Sequence, residues 1–110
     1  MIKITINVKA RAHKLKEFLQ TLDGLIVELR KEKGNLSYQY QQNNPDKNAI
    51  HIQAEWQGWD TLESHFRGNF FAVLLGAIRV LCEEPDVKIE DGSKMMGMEA
   101  IDEVRKKNPS

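Results

Sequence analysis

The order of two hydrophobic periods along the chain limits the folds that this sequence can adopt. Segments in which apolar and polar residues alternate, as in IKITINVKA at residues 2–10, predict strands with one buried face. Segments in which apolar residues recur every three or four positions predict amphipathic helices. The segments are 2–10 (strand), 13–33 (helix), 36–40 and 50–56 (hairpin strands), 61–81 (interrupted helix) and 87–89 (strand).

This βαββαβ order predicts an α+β domain of the ferredoxin-like class, with a four-stranded antiparallel sheet and both helices on one face. The opposite face would carry polar side chains, among them Thr5 and Gln53, and would suit contact with another protein surface or with water. We expect this domain to span residues 1–92. Residues 93–110 are expected to form a C-terminal extension, as a short helix or as a frayed tail.

The interrupted helix is the region with the clearest local signals. Asp60 and Glu63 have the spacing of a capping box, which predicts a helix start near Thr61. Gly68-Asn69 then breaks the helix, and the following FFAVLLGAIRVL leaves almost no polar face, so this second piece must be covered on nearly every side. Within the first piece His65 shares a helix face with apolar neighbours and should point inward.

Composition excludes several classes of function. Sixteen basic residues balance sixteen acidic ones, so no net charge attracts the chain to nucleic acid or to anionic lipid. The strand AIHIQAEW lacks the aromatic platform of an RNA-binding sheet. The single cysteine, Cys82, allows no internal disulfide, and no apolar segment resembles a signal peptide or a membrane span, so we expect a cytoplasmic protein. The three histidines show no metal-ligand spacing, which predicts no metal.

Two stretches resemble a known family. GNLSYQY follows the first helix, and IHIQAEWQGWDTLESHF precedes the apolar helix, with Gly34, Tyr38, Glu55, Trp56 and His65 in matching order and spacing. In this the chain resembles the antibiotic biosynthesis monooxygenase superfamily of dimeric α+β barrels over residues 1–92. The resemblance implies a homodimer whose two sheets face each other, and oxidation of quinols or polycyclic phenols without a metal, flavin or other cofactor.

The resemblance also has departures. One branch of the superfamily degrades haem, and it has a Trp where this chain has His65 and a His where this chain has Leu75. Haem degradation is therefore not expected. Many quinol-oxidising relatives carry a second His where this chain has Asn69, which leaves the quinol activity open.

Oxidation without a cofactor requires a base beside an acidic hydroxyl and a dry apolar cavity. The usual pKa of a histidine side chain is near 6.5, which suits His65 to the role of the base. We hypothesise that His65 deprotonates a hydroquinone-like hydroxyl and that Asn7 donates a hydrogen bond. The walls of the cavity around this small aromatic ligand would be Trp56, Phe66, Phe71 and Leu74.

Each of these residues also has a purely structural interpretation. An inward His near a helix start is as often a satisfied core residue, and Trp56 is the kind of residue that anchors a core. Two functions therefore stay open: a cofactor-independent monooxygenase acting on a quinol or related aromatic, and a dimeric ligand-binding or regulatory domain without catalysis.

Overall fold

The computed structural model describes residues 1–106, which form five strands and four helices. In chain order the elements are β1 (Ile2–Lys9), α1 (Leu15–Leu29), β2 (Asn35–Gln42), β3 (Ala49–Trp56), α2 (Trp59–Arg67), α3 (Asn69–Leu81), β4 (Asp86–Asp91), β5 (Lys94–Met96) and α4 (Met98–Lys106). The predicted α+β class and its βαββαβ order are confirmed, with α2 and α3 as the two pieces of the interrupted helix.

The sheet is antiparallel throughout, in the order β2-β3-β1-β4-β5. Ile6 of β1 lies opposite Ile52 of β3 on one side and Val87 of β4 on the other, so three apolar side chains line up across the sheet. The sheet has five strands instead of the predicted four, because the chain turns at Gly92, whose φ is +62°, and pairs β5 with β4.

One face of the sheet is buried by helices. The apolar residues of β1 and β3 alternate with polar ones as predicted, and Ile4, Ile6, Ile50 and Ile52 are at most 2% exposed. Helices α1 and α3 contribute the facing apolar side chains, which are Phe18, Leu22, Leu25, Ile26, Leu29, Phe71, Leu74, Leu75, Ile78 and Leu81. The core therefore lies between the sheet and the helical layer.

Helix α2 begins two residues earlier than the capping box predicts. Its first residue is Trp59, its N-cap is Gly58, and no side chain caps it; Thr61 instead donates its hydroxyl hydrogen to the Gly58 carbonyl. Asp60 lies inside the first turn, where a carboxylate still interacts favourably with the helix dipole. The capping-box prediction was wrong because a glycine in extended conformation occupies the cap position.

The segment after residue 92 packs against the rest of the chain over its described part. Strand β5 extends the sheet, and α4 buries Ile101 and Val104. Arg105 donates from Nη1 to the carbonyl oxygen of Phe66 at 2.7 Å, which ties α4 to the end of α2. The last four residues of the expected extension lie outside the described range. No helix among residues 1–106 is long and apolar enough to cross a bilayer.

Candidate functional site

His65 is the buried centre of an aromatic cluster. The residue is 2% exposed, and its imidazole stacks on Trp56 with ring centroids 4.4 Å apart and an interplanar angle of 29°. The rings of Phe71, Phe66 and Tyr38 surround it at centroid distances of 4.7, 5.6 and 5.7 Å. The inward orientation expected from the helix period is therefore observed, and we call these five residues the aromatic box.

A carboxylate holds one edge of this imidazole. His65 Nδ1 lies 2.7 Å from Glu32 Oε1, and the Glu32 side chain is 22% exposed, so this carboxylate is partly accessible to water. A carboxylate accepts hydrogen bonds, so the Nδ1–H of the imidazole is the donor. This contact fixes the tautomer of the neutral ring and leaves the lone pair on Nε2.

Gly34 brings Glu32 to the imidazole. Its φ of +84° turns the chain between α1 and β2, and a Cβ at this position would lie 2.4 Å from the Cβ of Thr61. Gln57 also donates its backbone N–H to the Gly34 carbonyl at 2.9 Å. The turn after α1 is thus pressed against the start of α2, and only glycine fits there.

Burial keeps the imidazole neutral. The pKa of His65 lies below its usual value, since enclosure by aromatic rings disfavours the cation more than the Glu32 carboxylate favours it. Burial and the Glu32 charge also raise the pKa of Tyr38, so its phenol stays protonated. At neutral pH the site therefore contains a neutral imidazole and a neutral phenol beside a carboxylate at the protein surface.

Two polar atoms of the aromatic box have no partner. Both His65 Nε2 and Trp56 Nε1 are buried without a hydrogen bond to any described residue. The first is an acceptor, given the tautomer set by Glu32, and the second is a donor. A buried polar atom without a partner costs about 1–3 kcal/mol. One ligand hydroxyl could satisfy both atoms, because a hydroxyl accepts and donates.

The predicted cavity is filled by the residues that were expected to line it. Trp56, Phe66, Phe71 and Leu74 are each 0% exposed, and the stacking distance between Trp56 and the imidazole leaves no room for a ligand between the two rings. A groove of about 340 Å³ reaches His65 from outside, past Glu32. Its other lining residues are polar: Lys33, Asp60, Thr61 and Ser64.

Asn7 does not reach this site. It lies on the face of the sheet opposite to the helices, where its Oδ1 is 2.5 Å from Nδ1 of His51. Side chains of β1 alternate between the two faces, so Ile6 and Val8 face the helical layer and Asn7 cannot. Asn7 and His65 therefore lie on opposite sides of the sheet within this protomer, and the hydrogen bond expected from Asn7 stays a prediction.

Comparison with known families gives a match that covers most of the chain. The profile of the antibiotic biosynthesis monooxygenase family matches residues 1–72, which is 72 of 110 residues and includes β1 through the start of α3. The chain belongs to the antibiotic biosynthesis monooxygenase family. The matched range therefore covers the positions of Glu32, Trp56 and His65, whereas β4, β5 and α4 lie outside it.

Solved structures of this family's fold superimpose closely. A conserved protein from Methanosarcina mazei shares 22% identity with a TM-score of 0.76, and the alignment covers 81% of this chain and 89% of that one. An antibiotic biosynthesis monooxygenase shares 19% identity with a TM-score of 0.77, over 86% and 100% of the two chains. Rv0793 from Mycobacterium tuberculosis shares 15% identity with a TM-score of 0.76, over 84% and 95%. No curated protein matches the sequence significantly.

Glu32 is the residue of this family member's site that sequence reasoning missed. It is 33 positions from His65, in a turn that carries no catalytic motif. The available signal was Gly34, which indicated the end of α1 but not what the turn would contact. No group of three His, Cys, Asp or Glu side chains within residues 1–106 is placed to hold a metal ion.

Proposed function

We propose that this protein is a cofactor-independent monooxygenase that oxidises a quinol or a related phenol with dioxygen. The observation that carries the proposal is the buried imidazole of His65, which donates Nδ1–H to Glu32, stacks on Trp56, and leaves Nε2 without a partner among residues 1–106. Membership of the monooxygenase family supports the reaction class. The quinol or phenol substrate is what the family resemblance implies, and the unpaired donor and acceptor would suit the hydroxyl of such a ligand.

The chemistry begins with a proton transfer. Dioxygen reacts poorly with closed-shell phenols and much faster with their electron-rich anions, so a base must remove the phenolic proton. In the proposal His65 Nε2 accepts that proton, and Trp56 Nε1–H stabilises the phenolate oxygen. Glu32 acts as a positioning residue, since it fixes the tautomer and stabilises the imidazolium that forms.

The electron balance closes without a reductant. A hydroquinone plus dioxygen gives a hydroxyquinone plus water: one oxygen atom enters the ring as a new hydroxyl, and the other leaves as water. The four electrons needed to reduce dioxygen come from the substrate, two from the quinol-to-quinone conversion and two from the carbon that is hydroxylated. The residues around His65 need only move a proton and exclude water.

Oxygen uptake on menadiol tests this proposal. With the spontaneous oxidation rate subtracted, we expect His65→Gln to lower the rate by about 100-fold or more, the usual contribution of a general base. A second variant, Glu32→Gln, removes the charge beside the imidazole. Its matched control is Glu63→Gln, because Glu63 lies on the exposed side of α2 and pairs with Arg67 at 3.6 Å. Equal rates in the natural chain and His65→Gln would refute the proposal.

A pH profile separates positioning by Glu32 from a structural role. The carboxylate raises the pKa of His65 relative to burial alone. Glu32→Gln should therefore move the acid limb of kcat/KM to lower pH, while Glu63→Gln leaves it in place. An unchanged acid limb in Glu32→Gln would show that the carboxylate does not act through the imidazole.

A specific observation supports the second candidate, a ligand-binding domain without catalysis. The aromatic box is packed closed, so a substrate must displace a ring before it reaches Nε2. This function predicts that a phenol or quinol binds and quenches Trp56 fluorescence with no oxygen uptake above the spontaneous rate. Turnover of menadiol by the natural chain would exclude it.

The proposal includes a homodimer joined through the open sheet faces, in the cytoplasm. Support comes from that face itself, where the polar residues Thr5 and Gln53 lie opposite each other on β1 and β3. Light scattering after size exclusion tests it. We expect Thr5→Arg to give monomers, whereas Gln20→Arg, an exposed change on α1, should not. A monomeric natural chain would refute it.

A further inference from the structure

A second cavity lies at the C-terminal end of α3 and shares no lining residue with the aromatic box. It has a volume of about 380 Å³, within the range of small-molecule sites, and lies where the end of α3, the segment that follows β1 and helix α4 meet. We call it the α3–α4 cavity. Its walls include Met98 and Asp102 of α4, so the C-terminal segment outside the family match completes it.

The inner wall of this cavity is apolar and rigidly placed. Leu75 and Ile78 of α3 are 4% and 1% exposed, and Cys82 beside them is 1% exposed. Burial raises the pKa of the Cys82 thiol to about 11, so it behaves as a small apolar group here. Arg11 donates its backbone N–H to the Leu81 carbonyl at 2.8 Å, which fixes the β1 side of the cavity.

The rim of the cavity carries both signs of charge. Arg11 and Arg79 contribute guanidinium groups, and Glu83, Glu84 and Asp102 contribute carboxylates. None of these five side chains forms an ion pair or a side-chain hydrogen bond within residues 1–106. Charged groups that share a rim without pairing with each other remain available to a ligand.

These features fit one class of ligand best. A ligand that carries only a carboxylate would be attracted by two guanidinium groups but repelled by three carboxylates. A ligand that carries only an ammonium group would be attracted by the three carboxylates but repelled by the two guanidinium groups. A ligand with both charges and an apolar side chain matches the rim and the inner wall together. We propose that the α3–α4 cavity binds an α-amino acid with an apolar side chain. Its carboxylate contacts Arg11 and Arg79, its ammonium contacts Asp102, and its side chain packs on Pro85 and Met98, the partly exposed apolar residues of the lining.

Calorimetric titration of the natural chain tests this binding without any substitution. Leucine is the probe, with 4-methylpentanoic acid and isopentylamine as analogues that lack the ammonium and the carboxylate. We expect each analogue to bind at least about tenfold more weakly, since each loses one charge-assisted contact. Glycine should also bind more weakly, because it lacks the apolar side chain. No heat with leucine at ~10 mM, or equal binding of leucine and either analogue, would overturn the proposal.

A matched pair of variants places the ligand. Arg79→Gln should weaken leucine binding by about tenfold, whereas Arg67→Gln should leave it unchanged, because Arg67 pairs with Glu63 and does not line the cavity. Thermal denaturation confirms that both variants fold. An unchanged affinity of Arg79→Gln for leucine would overturn the assignment to this cavity. Leucine affinity and menadiol oxidation are separate measurements, so failure of one inference leaves the other standing.

Discussion

His65 should make the stability of this protein depend on pH in a predictable direction. The imidazole is 2% exposed, and its pKa in the folded chain is lowered chiefly by burial. In the unfolded chain the pKa of a histidine is near 6.5. Between these two pKa values the unfolded chain binds a proton that the folded chain does not, so the free energy of unfolding falls as the pH falls below about 6.5.

The size of the effect has an upper limit. One proton of difference changes the free energy of unfolding by at most about 1.4 kcal/mol for each pH unit. His65→Gln removes the titrating group and keeps an amide that can donate to Glu32. The natural chain should therefore lose stability more steeply than His65→Gln between pH 6.5 and 5.5, by up to about 1.4 kcal/mol. Above pH 7 the two curves should run parallel.

Urea denaturation followed by tryptophan fluorescence measures both curves. His13 and His51 are present in both proteins, so their contributions cancel in the difference, and the window lies above the usual pKa of carboxylates. A stability difference between the two proteins that stays constant from pH 7.5 to 5.5 would refute the reasoning. So would a gain in stability of the natural chain on acidification, because it would mean that Glu32 outweighs burial.

Two further predictions concern the elements that position the site. Gly34→Ala combines a φ of +84° with a Cβ placed 2.4 Å from Thr61, so it should destabilise the fold by more than about 2 kcal/mol. Gly92→Ala, at φ +62° with open space around it, should cost about 1 kcal/mol, and equal losses in urea denaturation would contradict the steric argument. A hydrogen bond to Asp23 at 2.5 Å raises the pKa of Tyr40 to about 12. Asp23→Asn should lower that pKa toward 10 in a titration followed by ultraviolet absorbance, and an unchanged curve would contradict the assignment.

Much of the fold was predictable because long segments with one period dominate it. The alternation in β1 and β3 sets which residues are buried, and Gly68 marks the break between the two helical pieces. Strand β5 was not predictable in the same way. It has three residues, of which Lys94 and Met95 are exposed, so no hydrophobic period develops, and its pairing with β4 is a tertiary contact.

The site was less predictable, for two different reasons. The inward position of His65 follows from the helix period, but its partner Glu32 comes from a turn 33 residues away, and only the packing of Gly34 on Thr61 brings them together. The role of Asn7 is a different case. The alternation that buries Ile6 assigns Asn7 to the opposite face, so the hydrogen bond expected from Asn7 came from the family resemblance and not from the strand period.

The packing of the aromatic box bears on both candidate functions. Displacing one ring such as Phe71 from the core costs about 1.5–3 kcal/mol, which would weaken ligand binding by about ten- to a hundredfold. An aromatic ligand that takes the place of the ring recovers much of that apolar burial.

The hydroxyl of such a ligand also supplies partners to Trp56 Nε1 and His65 Nε2, which the closed box leaves without any described partner. A core selected for stability alone gains nothing from an unpaired donor and an unpaired acceptor on stacked rings, and phenylalanine and leucine would avoid that cost. The unpaired atoms therefore favour a box that opens for a hydroxyl-bearing ligand, and the oxygen-uptake measurement decides whether the ligand is also oxidised.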